Sequence, residues 1–198
     1  RVESADQDNG NDKDSALANT LKSRITFKSA DIAGVSVLIE GDNVLHLTED
    51  FNSTENNETD YDVVKDPETT QLNQAYVQYQ GFDTTVKVGN QRINLDNQRH
   101  VGGVAFRQDE ATFDAVTVVN QSVDNLTVIA GFADNKNSIT NTNDEMDISI
   151  LNLKYVVSPE LAATTFYYGV EFPTGETLNT LGLRAVGTAA GINYEAEV

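Results

Sequence analysis

The sequence predicts an all-β protein, an antiparallel up-and-down meander that forms part of a transmembrane β-barrel. Three observations carry that expectation. Apolar and polar residues alternate with a period of two, and no i, i+3, i+4, i+7 stripe persists over three turns, so strands rather than helices are expected. Pro67, Pro159 and Pro173 fall at breaks between apolar segments, where a missing N–H costs no ladder bond. The links between segments alternate between short turns and long polar connections, as in a barrel with short turns at one rim and long loops at the other.

The first hairpin is read over residues 20–28 and 34–42. Thr20, Lys22, Arg24, Thr26 and Lys28 share one face of its first strand, and Leu21, Ser23, Ile25 and Phe27 the other. After the link 30–33, Val35, Val37 and Ile39 oppose Ser36, Leu38, Glu40 and Asp42. The second hairpin, 72–80 and 84–92, turns at Gly81, Phe82 and Asp83. It separates Ala75, Val77 and Tyr79 from Gln74, Tyr76 and Gln78, then Val86 and Val88 from Thr85, Lys87 and Gln91. A third pair, 111–120 and 125–134, turns at 122–124, with Leu126, Val128, Ala130 and Phe132 on one face. The fourth, 147–157 and 161–172, turns at 158–160, and the fifth, 177–188 and 191–198, at Ala190 and Gly191. These five hairpins supply ten strands. Strands of about 9 to 11 residues span a bilayer when tilted. Residues 49–70, 93–110 and 135–146 are expected to be the long loops.

A length of 198 residues fits one or two domains, and the meander is read as a single domain over 1–198. Thirteen Lys and Arg against thirty-one Asp and Glu leave a net charge of −18, which argues against nucleic acid or an anionic surface as an electrostatically recruited partner. The absence of Cys removes disulfides, thiolate nucleophiles and Cys-ligated metals, and two His, His46 and His100, cannot build a multi-histidine site. No cofactor, metal or catalytic residue is expected. No run approaches eighteen apolar residues, so no membrane-spanning helix is expected, whereas barrel strands need be only half apolar.

The charges are sorted by location. Lys22, Arg24, Lys28, Lys87, Lys154 and Arg184 lie within strands. Residues 1–14 hold five acids against two bases, and residues 49–68 hold eight against one. This pattern suits a wall whose cations line a water-filled space under acidic loops; it equally suits a solvated surface on an acidic protein. Alternation alone cannot separate a membrane barrel from a soluble sandwich. The second reading is a soluble acidic β-sheet module that binds carbohydrate, with Tyr76, Tyr79 and Tyr167 as stacking platforms.

The most specific text is QLNQAYVQY over residues 71–79, VKVGNQRINLDNQR over 86–99 and FRQDEATFDAV over 106–116. It resembles the alginate-export type of Gram-negative outer-membrane porin, in which a Leu-Asn-Gln-Ala-Tyr strand precedes a Gly-x-Gln-Arg strand end. The resemblance implies an outer-membrane barrel with roughly twice this chain's strand number. Such a channel passes small polar or anionic solutes, oligosaccharides among them, and tolerates association into a homo-oligomer. The chain is expected to be about half of such a barrel. Arg92 matches the Gln-Arg strand end, and Arg99, Arg107, Asp109 and Glu110 fall in the segment that the family folds toward the pore. With Lys22, Arg24, Lys87 and Arg184 from the polar faces, these are the candidate pore-lining residues. Inward Arg and carboxylate groups make a transverse field, and Arg offers a fork to carboxylate or sulfate. The alternative role for Arg92 and Arg99 is to pin a loop through Asp96 and Asp109.

With no Trp in the chain, the expected interfacial girdle falls to Tyr76, Tyr79, Phe82, Tyr155, Phe166, Tyr167, Tyr168 and Phe172. The acidic run from Asp6 to Asp12 lacks EF-hand spacing, and Glu171 and Glu176 alone do not make a glycosidase pair.

Overall fold

A computed structural model describes residues 1–7, 12–104 and 106–198. Its elements are β1 (Val2–Ala5), β2 (Ala16–Lys28), β3 (Val35–His46), β4 (Thr69–Gly81), β5 (Thr84–Gln91), β6 (Thr112–Val123), β7 (Leu126–Asn137), β8 (Asn143–Ser158), β9 (Leu161–Glu171), β10 (Thr177–Ala189) and β11 (Ile192–Glu197). All eleven join one antiparallel sheet in chain order. β1 pairs with β2 and β11 with β10, and the sheet is open among the described residues.

The expected hairpins are all present, and tight turns explain their register. Phe82 and Asp83, each at φ 52°, join β4 to β5 in a two-residue turn with both central residues left-handed, the geometry that matches strand twist. Ala190 and Gly191, at φ 50° and 79°, do the same between β10 and β11. The strands run further than expected at the opposite rim. Residues 135–146 are not a long loop: Asn135, Lys136 and Asn137 pair with Glu145, Asp144 and Asn143, leaving a link of residues 138–142. Backbone ladders continue there although the side chains no longer alternate between oil and water. β1 likewise adds an eleventh strand to the ten read from the sequence.

The two faces differ as the alternation requires. Leu21, Ile25, Val35, Ile39, Val77, Val88, Phe132, Leu151, Leu181 and Leu183 all point outward and are more than two-fifths exposed, with no second layer over them among the described residues. Outward Tyr79, Tyr167 and Tyr194 lie over Gly81, Gly169 and Gly187, which have no side chain to hold the rings off the sheet. Tyr76, Phe166 and Tyr168 point to the inner face instead, so they leave the expected girdle. Tyr76 lies opposite Tyr79 and Tyr167, and the three cannot form one carbohydrate-stacking platform.

The inner face is covered in two places. The β3–β4 connection packs Phe51 and Val64, both fully buried, on Ala16 and Ala18 of β2. His46, at the end of β3, places its ring 4.6 Å from Phe51 and reaches the Asp66 carbonyl at 2.8 Å. The β5–β6 connection, residues 92–111, lays Ile93, Leu95 and Val101 on Phe113, Ala115, Ala133, Ile148, Ile150, Phe166 and Tyr168. The inner wall is therefore apolar beneath this loop, because the loop's own apolar side chains need a dry surface to dock on.

Candidate functional site

β5 ends at Gln91, and the chain leaves the sheet there. The buried Gln91 amide caps the strand end: it donates to the Ala115 carbonyl at 2.9 Å and accepts from Thr117 Oγ1 at 2.7 Å. The following loop closes on itself through Asn94 Oδ1, which accepts from Gly103 N at 2.7 Å, and through Ala111 N, which donates to Gly103 O at 2.7 Å. Arg92 and Glu110, at the two ends of this inner loop, are thereby brought together.

Arg92 closes on Glu110 through both Nε and Nη2, the latter at 2.6 Å from Oε1. Arg24 on β2 also donates to Glu110, and grips Asp42 on β3 through Nε at 2.7 Å and Nη2 at 2.6 Å. Glu40 lies 3.3 Å from Arg92 Nη2 and 3.4 Å from Arg24 Nη1. Lys22 Nζ reaches Asp42 at 2.8 Å and donates to the Gln108 carbonyl at 2.6 Å. A β-bulge opposite Glu40 and Gly41 turns both Asn73 and Gln74 toward Glu40, to which they donate at 2.8 and 3.0 Å. Asn73 donates to Glu110 as well, at 3.0 Å.

The order of these charges in depth matters more than their number. Asp42, Glu40 and Glu110 are buried, whereas the side chains of Lys22, Arg24 and Arg92 are 21%, 31% and 29% exposed. Lys22, Arg24, Arg92 and Arg107, with Gln108 and Glu110, line an open cavity of about 570 Å³. The cations are thus the more exposed members of the cluster and the carboxylates the more buried. Burial opposes ionisation of Glu110, but hydrogen bonds from Arg92 and Arg24 overcome it and carry its pKa down to about 2. Arg107 reaches Glu3 at 3.3 Å, and the exposed Phe106 ring lies between Arg1 and Arg107, 4.5 and 5.2 Å from their guanidinium carbons.

The other candidates lie elsewhere. Lys87 is on the inner face of β5, 4.8 Å from the Tyr76 ring. Arg184 on β10 faces Glu195 at 3.0 Å and Asp96 at 3.7 Å. Arg99, whose side chain is 71% exposed, reaches Glu197 at 3.6 Å, and Asn97 donates to Glu195 and Glu197. Arg99 and Arg184 thus belong to a second cluster that ties the loop to β10 and β11, apart from the Arg24–Arg92 cavity. The expected loop-pinning pairs also differ: Arg92 pairs with Glu110 and Glu40 and Arg99 with Glu197, while Asp96 holds Asn152 and Asp109 holds Gln71. Glu40, Asp42, Asn73 and Gln74 were not among the sequence candidates, although the hairpin register places Asp42 directly opposite Arg24 and Glu40 opposite Thr26. The Asp6–Asp12 run lies partly outside the described residues.

An eleven-stranded antiparallel meander with an apolar outer face has the fold of part of a β-barrel wall. Three solved structures share this fold. OccK9 (OpdG) of Pseudomonas aeruginosa matches 96% of the chain over 52% of its own length, with a TM-score of 0.71 and 12% identity. OccAB1 of Acinetobacter baumannii matches 96% over 46% of its length (TM-score 0.68, 17% identity), and OccAB4 of the same organism 99% over 59% (TM-score 0.61, 14% identity). The chain thus spans about half the length of these structures. They are Occ-type outer-membrane porins rather than the alginate-export type that the sequence block resembles. No protein-family model matches the chain, and no curated protein matches it.

Proposed function

We propose that the chain forms part of the wall of a Gram-negative outer-membrane channel through which small polar or anionic solutes diffuse without chemical change. The observation that carries this reading is the layered charge of the inner-face cavity: Lys22, Arg24, Arg92 and Arg107 line it, Glu110 is the one carboxylate among its lining residues and is held by Arg24 and Arg92, and the buried Glu40 and Asp42 lie behind. A negative solute approaching within a Debye length meets the exposed cations first, so the site favours anions despite the chain's net charge of −18. Planar guanidinium forks suit carboxylate or sulfate, and acidic sugars carry such groups. The narrower alginate-export reading is supported by the text of residues 71–116 alone. The outward aliphatic face supports contact with acyl chains, and the inner loop supports a narrowed passage between them.

The test is the reversal potential of the protein in planar bilayers under a salt gradient. Wild-type protein is expected to prefer anions; Arg24→Gln and Arg92→Gln are expected to move the reversal potential toward cation preference, and Arg99→Gln to leave it in place. A wild-type preference for cations, or equal shifts in all three variants, would contradict the reading.

A further inference from the structure

The inner loop carries a titratable group that the charge network above does not use. Asp109 is 1% exposed. Its Oδ1 accepts from Glu110 N at 2.8 Å and from the Gln71 amide of β4, but Oδ2 is buried with no hydrogen-bond partner among the described residues. A carboxylate oxygen left dry and unpaired is costly, and a proton placed on it removes most of that cost.

The charged groups facing Asp109 do not supply the missing partner. Lys22 on β2 favours its ionised form and Asp42 on β3 opposes it. Lys22 is already committed to Asp42 and the Gln108 carbonyl, and Glu110, next in the chain, to Arg24 and Arg92. Gln71 from β4 is neutral. Immediately before Asp109, Gln108 N donates to Asp66 Oδ1 at 2.9 Å and Gln108 Nε2 to Thr20 Oγ1 at 2.6 Å, so segment 108–110 is the seam by which the loop is fastened to the wall.

We propose that Asp109 is a proton-operated latch on the inner loop: neutral, it lets segment 108–110 dock against β4, and ionised, it loosens that segment together with Glu110's hold on Arg24 and Arg92. Burial pushes the Asp109 pKa up to about 6, and the Glu110 N–H offsets only part of that rise. A carboxyl raised in the docked state stabilises docking fully below the ordinary Asp range, and this contribution is lost as pH rises through about 6. The latch belongs to the loop and does not require conduction. Its consequence for solutes, a more open and more acidic passage at alkaline pH, rests on the channel reading.

Amide hydrogen exchange on the full chain in detergent tests it, reading peptides over residues 106–111 at pH 5 and pH 8 after correction for intrinsic rates. Wild-type protection is expected to fall about tenfold or more between the two, and Asp109→Asn to stay protected at both. Unchanged wild-type protection, or an Asp109→Asn variant that loses protection with pH as wild type does, overturns the proposal. Should the variant not fold, infrared spectra of wild-type protein with carboxyl-labelled Asp give the same decision. A protonated band with a midpoint near pH 6 supports the latch, and its absence above the ordinary Asp range overturns it. Lack of conduction in bilayers would count against the channel and leave the exchange result standing.

Discussion

Arg24 and Asp42 face each other directly across the β2–β3 hairpin, and two hydrogen bonds of 2.7 and 2.6 Å hold the guanidinium in a bidentate pair. The pair turns strand register into electrostatics. The hairpin fixes which residues are opposite, the opposed carboxylate fixes the guanidinium plane, and the remaining edge of that plane takes Glu110 from the inner loop. Because charge-assisted bidentate bonds are directional, Arg24 is a fixed fork rather than a mobile charge.

Glu110 joins Arg24 and Arg92, and its loss removes the loop's hold on both while Asp42 still grips Arg24 and Glu40 still lies beside Arg92. Glu110→Gln is expected to destabilise the protein by about 1.5–3 kcal/mol, the range for a hydrogen bond to a charged group. Arg99→Ala, at an exposed side chain, is expected to stay within about 0.5 kcal/mol. Heat or urea unfolding in detergent, followed by circular dichroism, checks both.

Acid acts on Glu110 in the opposite sense to Asp109. Its pKa is lowered when docked, so its stabilisation is present above the ordinary Glu range and is lost as pH falls through about 2. With Asp109 weakening docking above about 6, protease resistance of the inner loop is expected to peak in mildly acidic solution. Limited proteolysis across the pH range, with an acid-tolerant protease at the low end, reads this. A maximum above pH 8 would be inconsistent with it.

Gly182 on β10 lies under the Phe166 ring, where an added Cβ would come within 2.2 Å of Phe166 Cζ. That ring is stacked 4.9 Å from Tyr168 and buried beneath the inner loop, so it cannot swing aside. Gly182→Ala is expected to cost about 1–3 kcal/mol, as overpacking does. It should also raise hydrogen exchange over residues 93–101, the part of the loop that rests on this ring.

Outward Val77 tests the oily face. Val77→Arg is expected to cost about 2–4 kcal/mol in a bilayer if the residue sits near mid-depth. In a sheet bathed by water the same change would be nearly neutral, so unfolding measured from phospholipid vesicles distinguishes the two.

The hairpins and the sense of each face were legible because they rest on local rules. Val35, Val37 and Ile39 alternate with Ser36, Glu40 and Asp42, and the structure puts the first set outward. The strand extensions were not legible: Asn135, Lys136 and Asn137 show no oil–water alternation, and only their cross-strand partners reveal them as strand. The candidate site was legible in part. Arg24, Arg92, Arg107 and Glu110 came from the faces and from the family-like text, whereas Asn73 depended on a bulge that no residue pattern announced. The division between Arg92 and Arg99, seven positions apart, depended on how the loop folds over Phe166 and Tyr168, a long-range packing choice.

The central claim is that one face of the sheet meets acyl chains and the other meets water, and the absence of Cys makes it directly measurable. Val77→Cys and Gln78→Cys, neighbours on opposite faces of β4, each accept a single spin label in protein reconstituted into phospholipid vesicles. The account predicts that the label at 77 is relaxed chiefly by oxygen dissolved in the membrane and the label at 78 chiefly by a water-soluble nickel chelate. Equal exposure of both labels to the aqueous reagent would contradict it.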